Sequence, residues 1–144
     1  MKTFFIYLLL FVSIHSFAQE TELPEIIESA FTTKYPNANL DDWKSENGTY
    51  FLNFYLKSEF YTSIFDKDGK WIETAEIISD FDLPLSLREY LKKNYPSEII
   101  TYCEKVEKSK AKPVFRVNIA GDSELTLQSN EDGSNIKIIE HQTE

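Results

Sequence analysis

The chain has 144 residues, 24 acidic against 15 basic, and a formal net charge of −9. That length suits one compact domain or two very small units and rules out a large multidomain enzyme. The acidic field opposes approach to phosphate backbones and anionic membranes, so nucleic acid is not an expected partner, while 42% hydrophobic and 15% aromatic residues supply a core and argue against disorder.

The first element is a leader. Lys2 gives a short positive start, Phe4 to Ile14 is an almost unbroken apolar run, and Ser16-Phe17-Ala18 places small residues at a cleavage site. The run is too short to cross a bilayer, which takes roughly 20 apolar residues. Residues 1–18 are therefore read as a signal peptide, and a soluble periplasmic or secreted product is expected. Gln19, not cysteine, would stand at the new terminus, so no lipid anchor is expected. Removing 18 of 144 residues leaves 126, and because Lys2 leaves with the leader the charge becomes −10. Cys103 is the single cysteine, so no intramolecular disulfide is available and stability must come from packing. Its apolar neighbours from Ile99 to Val106 favour a buried structural thiol over a nucleophile.

Beyond the leader the sequence repeats itself. Leu23-Pro24 recurs as Leu83-Pro84 and Tyr35-Pro36 as Tyr95-Pro96, both after 60 residues, while Asp68-Gly69 recurs as Asp132-Gly133 after 64. Each copy opens on a helix with proline in its first turn, Asp82 being the expected cap of the second and Thr21 or Glu22 of the first. Ile26, Ile27, Ala30 and Phe31 make one apolar stripe and Leu83, Leu87, Tyr90 and Leu91 the other. Each helix should stop near Lys34 or Asn94, because the residue before a proline is pushed out of the helical region. Strands are expected near Asp41 to Glu46, Thr49 to Lys57, Glu59 to Asp66 and Trp71 to Ile78, joined by Asn47-Gly48, a tight turn at Lys57-Ser58, and Lys67 to Lys70. The second copy places strands near Ile99 to Glu107, Pro113 to Ile119, Ser123 to Ser129 and Asn135 to His141. The expected fold is α+β: tandem αββββ units over 19–79 and 80–144, each an antiparallel four-stranded sheet with one helix on one face.

These features resemble the PepSY-like, β-lactamase-inhibitor-like family of small bacterial envelope proteins. The resemblance rests on Phe31, Lys34-Tyr35-Pro36-Asn37-Ala38, Trp43, Tyr50, Phe65 to Trp71 and Leu91 to Pro96. It implies helices packed on sheets and a role in binding or inhibiting other proteins, with no catalytic residues.

Chemistry is sparse. Only His141 survives removal of the leader, and three residues from the C-terminus it reads as an exposed tail. Asp66-Lys67-Asp68-Gly69 begins like a calcium loop, but Lys70 and Ile77 stand where further ligands are required, so a plain hairpin is expected. Asp41 and Asp42 read as solvated surface, and the mixed run from Glu104 to Lys112 as an exposed hairpin arm. No metal or cofactor is expected.

Aligning the copies at a separation of 63 sets Leu52, Phe54 and Leu56, with Thr62 and Ile64, toward the helix. Phe51, Tyr55, Tyr61 and Phe65 then fall on the opposite face, where the second copy carries Val114, Arg116, Asn118, Glu124, Thr126 and Gln128. Four aromatic rings on a face that one helix leaves bare have the composition of a protein-binding site, or else pack against the other copy or the segment from Ser79 to Phe81. The first reading is a non-enzymatic module that binds an envelope protein as inhibitor or chaperone. The alternative is a small-molecule or cation sensor using the acidic surface and the Asp66 turn.

Overall fold

The computed structural model describes residues 22–121 and 124–142, so the leader expected at 1–18 lies outside the described residues. In chain order they form α1 (Glu25–Lys34), β1 (Asn39–Glu46), β2 (Thr49–Leu56), β3 (Glu59–Asp66), β4 (Trp71–Ile77), a 3-10 turn (Asp80–Asp82), α2 (Leu85–Asn94), β5 (Ile99–Lys108), β6 (Ala111–Ala120), β7 (Glu124–Asn130) and β8 (Lys137–Gln142). No helix among these residues is long and apolar enough to cross a membrane.

Both helices follow from spacing. Ile27 and Phe31 in α1, and Leu87 and Leu91 in α2, are four residues apart and buried, whereas Ile26 on the flank is 53% exposed. The capping differs from expectation: Pro24 and Pro84 themselves are the N-caps, with no side-chain cap bond. The Pro24 carbonyl accepts from the amides of Ile27 and Glu28 at 2.9 and 3.0 Å, and Pro84 accepts from Arg88 at 3.1 Å. Asp82 belongs instead to the 3-10 turn. The amides of Tyr35 and Tyr95 close the last turns onto Phe31 and Leu91, and the following prolines stop the helices.

The strands do not make two separate four-stranded sheets. They form a single antiparallel sheet in the order β1 to β8. The joint is the β4–β5 ladder, which sets Glu73 opposite Lys108, Ala75 opposite Val106 and Glu76 opposite Lys105. Opposite charges directly across a pair favour this register over a slip by two. Ser63 pairs with Thr74 and Thr74 with Glu107; Glu107, Lys105 and Cys103 alternate along β5. Side chains in register share a face, so α1 and α2 lie on the same side of the sheet. Under α1 sit Leu52, Phe54 and Phe65; under α2 sit Cys103, Phe115, Val117, Ile119 and Leu127.

Polar contacts pin the helices to the sheet. Thr74 Oγ1 is hydrogen-bonded to the Tyr35 hydroxyl and, at 2.9 Å, to Ser63 Oγ, and it accepts from Trp71 Nε1 at 2.8 Å. Burial of Ser63 and Thr74 makes this satisfaction necessary. At the other end, each Asp-Gly turn tucks beneath the start of its helix, and Ser86 Oγ donates to the Asp132 carbonyl at 2.7 Å. His141, expected in an exposed tail, has its backbone in β8 opposite Leu125. Cys103 is buried beneath α2, where burial pushes its thiol up to about 11.

Gly48 and Gly133 share a left-handed backbone, at φ +76° and +78°, but a Cβ at Gly133 would lie 2.1 Å from Ser86 Oγ, against 3.8 Å to the nearest atom at Gly48. Gly48→Ala should cost about 1 kcal/mol for the backbone alone, and Gly133→Ala about 1–3 kcal/mol more for the clash. Paired urea denaturation checks the difference, and equal losses would contradict the close approach of α2. Iodoacetamide should modify Cys103 slowly in the native protein at mildly alkaline pH. The folded thiol keeps its proton above its ordinary value of 9.0, so its contribution to stability is present below that value and lost as pH rises through about 11. Rapid native-state alkylation would show the thiol to be accessible.

Candidate functional site

With both helices on one side, the other face of the sheet has no described element over it. Its first half is built by β2 and β3 in three rows: Phe51 opposite Ile64, Asn53 opposite Thr62, and Tyr55 opposite Phe60. The Tyr55 and Phe60 rings meet edge to face at 5.2 Å, Thr62 Oγ1 donates to Asn53 Oδ1 at 2.8 Å, and Lys44 Nζ stands 5.1 Å from the Phe51 ring centre. Tyr55 is 43% exposed and the other two aromatic residues are half-buried.

Phe51 and Tyr55 thus lie on the bare face, but Tyr61 and Phe65 do not. Phe65 pairs with Tyr50 and is 1% exposed in the α1 core, and Tyr61 stacks on Phe54 at 5.4 Å on that same side. Thr62 and Ile64, expected beneath the helix, take the bare face with Phe60. The reason is parity. Four residues separate paired Tyr55 and Phe60, whereas three separate paired Ala120 and Glu124. A single separation cannot carry both strands of the hairpin across, because a one-residue offset turns every side chain to the other face. Nor do the two halves pack face to face. They join edge to edge through β4–β5, so neither the second half nor Phe81, itself 78% exposed, covers Tyr55.

The second half of the face is an ion network. Arg116 on β6 donates from Nη1 and Nη2 to the two carboxylate oxygens of Glu73 on β4, at 2.9 and 3.1 Å, and from Nη1 to Glu104 on β5 at 3.2 Å. Lys108 Nζ adds a 3.6 Å contact to Glu73. The guanidinium reaches across β5, where Val106 is completely buried. Burial by itself would lower the Arg116 pKa, but its hydrogen bonds and charge contacts with Glu73 and then Glu104 outweigh it and raise the value. Tyr102, also on this face, has its phenol pushed up by burial, then by the charge of Glu104. The run from Glu104 to Lys112 forms the end of β5, its turn and the start of β6, a hairpin exposed from Ser109 to Lys112, while Glu104 at its base is 8% exposed. Sequence reasoning placed Arg116 on this face but did not find its partners. The signal available was the pair of opposite charges, Glu73 and Lys108, at matching positions of adjacent strands.

The Asp66 turn is a hairpin. Asp66 Oδ1 accepts from the amides of Asp68 and Lys70, both at 2.9 Å, and Gly69 takes φ +76°. Among the described residues no group of three His, Cys, Asp or Glu side chains is placed to hold a metal.

The two kinds of aromatic residue should separate cleanly on truncation. Phe65→Ala empties a core position and should cost about 3–5 kcal/mol, while Tyr55→Ala, half in solvent, should stay within about 1 kcal/mol. Urea denaturation of both variants decides it, and a large loss at Tyr55 would mean that the ring is covered in solution.

No curated protein matches the sequence. Solved structures do match the fold. A DUF2874 family protein from Bacteroides uniformis aligns with TM-score 0.73 at 15% identity, over 84% of this chain and 89% of that one. A BLIP-like protein from Bacteroides fragilis aligns with TM-score 0.68 at 18% identity, over 85% and 88%. A Bacteroides eggerthii structure described as a candidate periplasmic protein gives 0.72 at 13%, over 84% and 88%. Identities this low carry the fold alone. Residues 48–134, from the β1–β2 turn to the second Asp-Gly turn, match the family model of β-lactamase-inhibitor-like, PepSY-like proteins, and the chain belongs to that family.

Proposed function

We propose that this is a non-enzymatic module, exported to the cell envelope, that binds a protein partner through the bare face of its sheet and acts on it as an inhibitor or chaperone. The observation that carries the reading is the open ladder of Phe51, Tyr55, Phe60 and Ile64, which has large rigid side chains and, among the described residues, no covering element. Beside it, the clamped Arg116 gives a partner a charged surface already ordered before contact, which limits the entropy lost on docking. Family membership and the likeness to a BLIP-like protein support a binding role. The leader over 1–18 and the likeness to a candidate periplasmic protein support export. We read the remainder as two helix-plus-four-strand units, 19–79 and 80–144, that share one sheet. Phe51 and Tyr55 stand in the proposed interface with Phe60, while Tyr61 and Phe65 support it from below.

Affinity capture from envelope extract with the mature chain, beside a Tyr55→Ala/Phe60→Ala variant of unchanged fold, tests the proposal. The captured partner should weaken at least about tenfold with the variant, the scale of a single interface hot spot. An identical set of proteins bound by both forms would rule out this face.

A further inference from the structure

On the helix side of the sheet, away from the proposed docking face, a crevice of about 430 Å³ lies between α2 and the start of β5. Its floor is apolar, with Leu91 and Ile119, and its walls carry Arg88 and Lys92 from successive turns of α2 together with Asp80 and Glu98. Among the described residues, Arg88 Nε is the one buried side-chain nitrogen or oxygen with no hydrogen-bond partner. An unmet buried donor is unfavourable, more so on a charged group, and the bond that Arg88 Nε lacks is one a bound molecule could supply.

The other helix provides a comparison on the same scaffold. Sixty residues earlier, at the matching places, stand Glu28, Thr32 and Ala38 in place of Arg88, Lys92 and Glu98. A helix of the same length with the same buried pair of side chains and the same Tyr-Pro stop therefore forms without these charges.

We propose that the crevice binds a small zwitterion of the amino-acid type, a free apolar amino acid or a dipeptide. Its carboxylate would meet Arg88 and Lys92, its ammonium Asp80 or Glu98, and its side chain the Leu91 and Ile119 floor. Both signs of charge line the crevice, so a plain anion or cation would find one half of it repulsive. A molecule with no net charge is also not turned away by a chain of net charge −9. The size falls within the range of small-ligand sites, and the mix of an apolar floor with a few converging polar groups fixes an orientation.

The Arg88 Nε–H resonance reports directly on the unmet donor. Titration of the mature chain with leucine or with leucyl-leucine should move that signal saturably, the stronger of the two showing whether a free amino acid or a dipeptide is preferred. N-acetyl-leucine, without the ammonium, and leucinamide, without the carboxylate, should each bind at least about tenfold more weakly than leucine. Arg88→Gln should lose at least about tenfold in affinity, the worth of one charge-assisted hydrogen bond, with Lys92→Gln as the second comparison if Arg88→Gln melts early. The proposal fails if neither ligand moves the resonance, if N-acetyl-leucine binds as well as leucine, or if a folded Arg88→Gln or Lys92→Gln variant binds unchanged. None of these results depends on the bare face having a partner.

Discussion

The antiparallel ladder between β4 and β5 is the constraint from which the rest of the molecule follows. Because Glu73 faces Lys108 and Glu76 faces Lys105, two meanders that could each have closed on themselves run on as one sheet. Alternation then puts α1 and α2 on the same side, and a broad face remains that neither helix can reach. Had the halves packed face to face, Phe51 and Tyr55 would have been core. Joined edge to edge, they are surface.

The elements were legible in the sequence to within a few residues, since each has a local cause. Proline and Tyr-Pro bracket the helices, and Asn47-Gly48 and the Asp-Gly pairs mark turns where the backbone takes a positive φ. The helix caps were misread because a proline in extended conformation can hold the N-cap position itself. The site was half legible. Phe51 and Tyr55 were placed correctly, but carrying one separation through a hairpin whose two versions differ by a single residue turned Tyr61 and Phe65 to the wrong side. The corrective signal was present, since a tight turn at Lys57-Ser58 by itself sets Phe54 beside Tyr61. That the sheets would merge had no local cause, because pairing between β4 and β5 depends on partners separated by a helix.

The two halves use one scaffold for different surfaces. In the first, Ser63, Thr74 and Tyr35 fix α1 through buried hydroxyls and leave aromatic rings on the far side. In the second, the buried helix-side layer is mostly aliphatic, with Phe115 and Cys103 among Val117, Ile119 and Leu127, and the far side carries Arg116 with Glu73 and Glu104. A buried ion pair is weak evidence for stability, because desolvation offsets much of the attraction. Its firmer effect here is positional: a guanidinium bridging β4 and β6 leaves β5 little freedom to slide between them.

Every sheet contact but one joins strands that are neighbours in the chain through a short turn. The exception is the β4–β5 ladder, which spans 21 residues between Ile77 and Ile99. Loop-closure entropy grows with the logarithm of length, so drawing these ends together costs about 2 kcal/mol more than closing a two-residue hairpin, before α2 shortens the path. Low contact order makes each meander a quick local event. The pairing that creates the broad face is therefore also the one that local chain geometry favours least.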